Sequence, residues 1–383
     1  MHIAFLTPEY PHAQVAHAAG IGTSIKNLAE ALAAKKQQVT VFVYGQEKDF
    51  IIHENEITIH VIKHKKFIFF NWFFYRKHLQ NYINKIVITN KIDAIEAPDW
   101  TGILAFMKFK IPLITRFHGS DAYFCYLENR KQKLKNYWFE KLSLQNSNLF
   151  VAPTNFAGQL TQKIFDLDKN KIQTIHNGID LNQFQNPNPE NFQEGLIVYI
   201  GTIIRKKGVL ELPEIFRLVL EKHPTAKLLL IGGDSRDLET KSESTWQILQ
   251  QTMETKILNN VNYLGKLPYS EIQSHIMKAN VCVFPTFAET LGMVTIEAMA
   301  MQKAVITSDF GWTNELIVNS ESGFLVNPKQ HINFANAILN VLNNKQLAVS
   351  VGVNARKRVE DLFDINKIVI QNIDFYQSVI NKQ

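Results

Sequence analysis

Short runs of apolar and β-branched residues alternate with stretches of helical period along the chain. Residues 3–7, 39–44, 58–62, 94–96, 113–116 and 149–152 have strand length and composition, and amphipathic segments such as 23–34 and 132–144 lie between them. Repeated strand, helix, strand units are the signature of a parallel sheet covered by helices. The rhythm breaks at 182–194, where Asn, Gln, Pro187 and Pro189 crowd into one polar stretch that reads as a linker. It resumes with strands expected at 196–201, 227–232, 261–264, 281–285 and 304–307. The pattern predicts an α/β protein of two Rossmann-like domains, 1–181 and 182–364. A last helical pattern over 365–380 has no strand after it, and the segment 365–383 is expected to cross back to the first domain.

Composition narrows this picture. The 383 residues exceed the usual size of one domain, and 46% hydrophobic content is ordinary for a globular chain. No apolar run approaches the ~20 residues of a membrane-spanning helix. The start, Met1-His-Ile-Ala-Phe-Leu-Thr-Pro8, lacks a charged n-region and a small-residue cleavage site, so a cytoplasmic protein is expected. Two cysteines, Cys125 and Cys282, exclude a disulfide framework and a zinc module. Residues 1–180 carry 22 Lys or Arg against 15 Asp or Glu, whereas 181–383 carry 19 against 20, so the basic excess belongs to the first half. No nucleic-acid partner is expected.

Four segments carry candidate chemistry. Phe284-Pro-Thr-Phe-Ala-Glu-Thr-Leu-Gly-Met-Val-Thr-Ile-Glu-Ala-Met-Ala300 follows a strand and opens a helix, whose start offers unpaired N–H groups and a positive dipole end to a phosphate. Glu289 and Glu297 project toward one side if Glu289 begins the first turn. Tyr199-Ile-Gly-Thr-Ile-Ile-Arg-Lys-Lys-Gly208 places three cations just past a strand, where Arg205 and Lys207 suit a diphosphate. Ala18-Ala-Gly-Ile-Gly-Thr23 brings two glycines, Gly20 and Gly22, before a helix, where backbone N–H groups can approach an anion. Thr115-Arg-Phe-His-Gly-Ser-Asp121 ends a strand with His118, able to donate a hydrogen bond or carry charge.

With Ile175-His-Asn-Gly-Ile-Asp180 and Ser308-Asp-Phe-Gly-Trp-Thr-Asn-Glu-Leu316, these segments resemble the family 4 retaining glycosyltransferases, over essentially the whole chain. The resemblance implies the GT-B fold, with two Rossmann-like domains facing each other across a cleft. It implies a nucleotide-sugar donor (UDP or GDP) held by the second domain and a glycan or lipid-linked acceptor held by the first, in cell-surface polysaccharide or glycolipid synthesis. By that likeness Glu297 takes the ribose hydroxyls and Glu289 the hydroxyls of the donor sugar. Gly201, the backbone of Thr290, Leu291 and Gly292, and Met293 and Val294 at the helix start bind the donor. Lys207 and Arg205 neutralise the diphosphate, His118 contacts the sugar, and Gly20 and Gly22 close over the phosphates. Asp99 and Asp121 are expected on the acceptor side.

This chain departs from the family pattern in places. Gly201-Thr202 stands where many members have Gly-Arg, which leaves Arg205 as the diphosphate arginine. Gln302-Lys-Ala304 replaces a Gly-x-Pro turn, and Gly311-Trp312 stands where paired glycines are common. The same plan also suits a nucleotide-sugar isomerase or epimerase, or a sugar-nucleotide-binding protein without turnover. A nicotinamide enzyme does not fit, because no strand is followed by a full Gly-x-Gly-x-x-Gly with an acid ~20 positions on. No cofactor or metal is expected: Asp166-Leu-Asp168, the one Asp-x-Asp, reads as a helix-end turn. Residues 57–92 hold seven basic residues and no acid, and Lys63-His-Lys-Lys66 precedes seven aromatics and then Arg76-Lys-His78. That composition predicts a peripheral contact of residues 63–85 with an anionic membrane or a partner, or else a helix with one buried face.

Overall fold

The apolar runs fold into two parallel sheets, each covered by helices on both faces. In the computed structural model, which describes residues 1–381, the first sheet is made by β1 (His2–Thr7), β2 (Gln38–Gln46), β3 (Phe50–Glu54), β4 (Ile57–Lys63), β5 (Ala94–Pro98), β6 (Leu113–Arg116), β7 (Leu149–Ala152) and β8 (Ile172–Thr174). Their order is β3-β4-β2-β1-β5-β6-β7-β8, with β3 alone antiparallel to its neighbour. β9 (Leu196–Ile200), β10 (Lys227–Ile231), β11 (Val261–Tyr263), β12 (Val281–Phe284), β13 (Val305–Thr307) and β14 (Phe324–Leu325) form the second, wholly parallel, in the order β11-β10-β9-β12-β13-β14.

Strand alternation explains how a continuous apolar run serves two cores. In β1, Ile3 and Phe5 join one cluster with Leu28 and Leu32 of the helix Gly20–Ala34 and Tyr376 of the helix Ile365–Ile380, while Ala4 and Leu6 join another with Leu79 and Ile83 of the helix Asn71–Asn90. In the second sheet Ile197, Tyr199, Leu228 and Val283 pack with Phe216 and Phe334 of the helices Leu212–Lys222 and His331–Leu342.

The chain divides into two units, Met1–Asp180 with the segment from Asp364 onward, and Leu181–Phe363. The helix Ile365–Ile380 belongs to the first: Ile365 N–H donates to the Ile179 carbonyl at 3.0 Å, and Gly178 leaves no room for a Cβ beside Ile365. The polar stretch 182–194 contains no helix or strand and is fastened to the second unit, where Asn186 donates to the Met301 carbonyl at 2.9 Å and Gln193 N–H to the Lys278 carbonyl at 2.9 Å. Asp166 ends the helix Asn155–Phe165 with a positive φ, and Asp168 caps the next turn by accepting the Asn170 N–H, which places the Asp-x-Asp triplet at a helix end.

Candidate active site

Parallel sheets present their ligand crevice at the carboxyl ends of strands where the strand order reverses. In the second sheet that place lies between β9 and β12, and in the first between β1 and β5. The loops leaving these strands carry most of the candidate residues.

Beyond β9, Gly201 ends the strand and Arg205–Lys207 makes a single tight turn closed by Gly208 at φ +69. A Cβ on Gly208 would overlap the Pro285 carbonyl oxygen, so only glycine lets this loop meet the one leaving β12. The two are then laced together: Phe287 N–H donates to the Lys206 carbonyl at 2.8 Å, and the Thr286 hydroxyl to the same oxygen at 3.3 Å.

This contact brings Lys207 Nζ against the Glu289 carboxylate. Both line a pocket with Tyr199, Thr286, Gly292, Val294 and Trp312. Burial, with the Lys206 charge adding to it, pushes the Lys207 ammonium down to about 7, and the Glu289 contact opposes that shift. Trp312 is buried and stacks on Phe310 at 5.4 Å, so it forms a wall of the pocket where smaller residues would leave space.

Gly292, at φ +91, starts the helix Met293–Ala300, and its carbonyl accepts the Thr295 N–H at 3.0 Å. Thr290 and Leu291 lead into that start, with Leu291 buried. Glu289 therefore lies ahead of the helix, not in its first turn. The condition for the two carboxylates to share one helix side, that Glu289 begin the first turn, is not met: Glu289 meets Lys207, while Glu297 is buried and accepts the Tyr269 hydroxyl at 2.8 Å.

Burial pushes the Glu297 carboxyl up to about 7, with the Tyr269 bond acting against it. The folded state then holds a proton that the unfolded chain loses, so Glu297 reduces stability as pH rises from the ordinary carboxylate range through about 7. Glu297→Gln keeps an acceptor for Tyr269 and removes the charge. It is expected to stabilise the protein by about 2–3 kcal/mol at about pH 8 and hardly at all at about pH 4, as urea unfolding will show. Equal effects at both values would contradict the assignment.

Arg205 is placed differently from the expectation. Its Nε and Nη2 each donate to a carboxylate oxygen of Asp237 at 2.8 Å, and Glu239 lies at 3.2 Å. This fork holds the Asp237 carboxyl well below its usual range and keeps the guanidinium occupied outside the Lys207 and Glu289 pocket.

In the first unit Gly20 and Gly22 lie inside the helix Gly20–Ala34 rather than before it. Gly22 N–H donates to the Glu9 carboxylate at 2.8 Å, and a Cβ there would press on the Glu9 backbone. Asp99 and His118, following β5 and β6, are joined by a 2.8 Å bond from the His118 N–H to the Asp99 carboxylate. Burial, with the Arg116 charge adding to it, pushes the His118 imidazole down to about 3, so the ring is a neutral donor and not a cation. Burial raises Asp99 to about 7. Asp121 is drawn away from this group, to Arg130 at 3.3 Å and Asn136 at 3.2 Å.

Tyr269 and Asp237 are site residues that the sequence did not single out. Each acts on a partner about 30 residues away in the chain, and nothing in local spacing marks such a pair.

Residues 181–358 match the family model of glycosyl transferases group 1, and residues 18–183 that of glycosyltransferase family 4. The capsular polysaccharide biosynthesis glycosyltransferase CapM of Staphylococcus aureus is 32% identical over 57% of this chain, and the match spans 52% of that relative. A solved sucrose-phosphate synthase from Thermosynechococcus elongatus superposes with a TM-score of 0.81 at 21% identity, covering 100% of both chains. HepE of Anabaena, solved in complex with UDP and glucose, gives 0.75 at 19%, covering 99% of this chain and 100% of that one.

Proposed function

The chain belongs to the glycosyltransferases of group 1 and family 4, with the GT-B fold, and from that membership we propose that it moves a hexose from a UDP- or GDP-sugar to a glycan or lipid-linked acceptor with retention of configuration. The observation that carries the reading is the meeting of Lys207, Glu289 and the start of the helix Met293–Ala300 where the second sheet reverses its strand order. Capsule synthesis by the CapM relative, and the UDP and glucose bound by HepE, support a role in cell-surface polysaccharide or glycolipid assembly at the inner face of a membrane.

In this proposal the Thr290, Leu291 and Gly292 backbone and the helix start hold the phosphates. Lys207 neutralises them, Glu289 takes hydroxyls of the donor sugar, and Glu297 takes the ribose. Arg205, satisfied by Asp237, braces the turn that aims Lys207. His118 supplies a neutral hydrogen bond to the sugar, and the start of the helix Gly20–Ala34, where Gly20 stands, faces the phosphates from the first unit, whereas the Gly22 N–H is engaged by Glu9. Asp99 belongs to the acceptor side, whereas Asp121 is engaged by Arg130 and is left out of it.

A double displacement needs a carboxylate beneath the anomeric carbon, and the family resemblance assigns neither glutamate that place. The acceptor oxygen therefore bonds to the anomeric carbon on the face from which the diphosphate leaves, and the departing phosphate oxygen takes the acceptor proton. The protein's contribution is electrostatic, through Lys207 and the helix N-terminus.

The test is incubation with UDP- and GDP-sugars, with and without a lipid-linked glycan acceptor, and NMR of the product linkage. Acceptor-dependent nucleotide release with an axial or equatorial bond unchanged from the donor is expected. An isomerised donor formed without acceptor, or binding without turnover, would overturn the reading. Because Lys207 and the helix start supply the positive charge, activity is also expected to survive EDTA; loss on chelation that magnesium or manganese restores would contradict metal independence.

A further inference from the structure

The basic and aromatic segment 63–85 divides into an inner and an outer part. Tyr75, Leu79 and Ile83 are core residues. Arg76 and Lys77 leave the expected surface because backbone carbonyls draw them inward: Arg76 donates to the carbonyls of Trp72 at 2.8 Å and Gly102 at 3.1 Å, and Lys77 to that of Phe106 at 2.5 Å. Lys63, Lys65 and Lys66 remain exposed, followed by Ile68, Phe69 and Phe70 at 93%, 73% and 68% exposure. Phe70 adopts a left-handed conformation, φ 45, so the chain turns there and the three apolar side chains form a tip ahead of the helix Asn71–Asn90.

A second element, which the sequence marks only as an amphipathic helix over 132–144, lies beside it. On the helix Leu134–Gln145, Leu134 and Trp138 are one turn apart and 76% and 55% exposed. They are accompanied by Arg130, Lys131, Lys133, Lys135 and Lys141. The one acid of that helix, Glu140, is buried and accepts the N–H groups of Asp121 and Ala122, and the charges of Asp121 and Glu128 are met by Arg130. Trp72 joins the two elements through its ring contact with Phe139 at 5.1 Å; within the first element Phe70 meets Trp72 at 6.4 Å, and within the second Lys135 lies over Phe139 at 5.6 Å and Lys141 over Trp138 at 5.9 Å.

We infer that this face of the first unit docks on an anionic lipid surface, with residues 68–70, Leu134 and Trp138 entering the headgroup layer and the lysines meeting lipid phosphates. Among the described residues no helix is long and apolar enough to cross a membrane, so the contact is interfacial. Apolar tips ringed by cations match the chemistry of that layer, where rings and aliphatic groups sink and ammonium groups stay at the surface. The inference deepens the proposal of a membrane-held acceptor and rests on it only for its purpose. Lipid binding is read without donor or acceptor, so flotation can fail while transfer stands, and the reverse.

The protein is floated with vesicles of phosphatidylcholine alone and of phosphatidylcholine with phosphatidylglycerol. Flotation is expected with the anionic vesicles only, falling about tenfold between about 0.1 M and about 0.5 M salt. Lys65→Glu and Lys66→Glu combined with Lys133→Glu and Lys135→Glu should lower it about tenfold or more, and Ile68→Ser, Phe69→Ser and Phe70→Ser together by as much, each with unchanged circular dichroism. Wild-type protein that ignores anionic vesicles would overturn the inference. So would a dimer that these substitutions dissolve, because a second copy would then cover the face. Flotation unaffected by changes in the helix Leu134–Gln145 would remove that helix from the surface and overturn the two-element face.

Discussion

Lys207→Ala is expected to lower kcat by about 10²–10³ while the protein stays folded, because in the proposed reaction it removes a positive charge from where the leaving diphosphate gains negative charge. Poor solvation makes that charge worth more than a surface lysine's. The side chain sits under a glycine-dependent contact between two loops and faces Glu289 in the same pocket. Burial pushes its ammonium down to about 7, against the Glu289 carboxylate that favours the charged form. If Lys207 acts protonated, kcat/KM falls as pH climbs through about 7 and above, with the Glu289 contact moving that limb upward. The alanine variant should lose the limb along with the rate. Since the variant also removes the Lys207 charge from beside the Glu289 carboxylate, the double variant with Glu289→Gln separates the two effects. Wild-type kcat in Lys207→Ala, or a pH limb that persists in it, would take the lysine out of the chemistry.

Much of this site could be read from local sequence because its loops are short and follow strands directly. Lys207, Glu289 and Gly292 lie within about eight residues of a strand end, and the strand 149–152 is framed by Asn148 and Pro153, which mark its ends. The partners that set chemical state were not readable. Glu297 owes its raised carboxyl to burial, and Arg205 its occupied fork to Asp237, which stands 32 positions later.

β3 was missed for a related reason. Asn55 and Glu56 both have positive φ, the geometry of a tight hairpin turn, but that turn is usually written Asn-Gly, and Glu in the second place hid it. The tip at 68–70 shows the opposite limit. Its composition read equally as core or as surface, and only the burial of Tyr75, Arg76 and Leu79 fixed which side of the segment faces out.

Arg116→Ala should cost the first unit about 3–5 kcal/mol, the largest stability loss expected of a single substitution here. Arg116 ends β6 and is buried with Glu96 of β5. Its Nε donates to one Glu96 oxygen at 2.6 Å and its Nη2 to the other at 3.0 Å. The same Nη2 donates to Asn372 at 2.6 Å, and the Tyr376 hydroxyl donates to Glu96 at 2.7 Å. Two strands of the first sheet are thereby tied to the helix Ile365–Ile380, whose residues arrive after the whole second unit.

Alanine at 116 leaves the Glu96 carboxylate buried with only the tyrosine to answer it, and that stranded charge, rather than the lost attraction, sets the size of the penalty. Glu96→Leu combined with Arg116→Met should therefore be far milder than either truncation, since it removes both charges at similar volume. Tyr376→Phe, which removes one hydrogen bond to a charged acceptor, should fall between, at about 1.5–3 kcal/mol. Urea unfolding followed by circular dichroism measures all three. A cost under about 1 kcal/mol for Arg116→Ala, or a double variant as unstable as the single one, would show that the cluster does not hold the C-terminal helix in place.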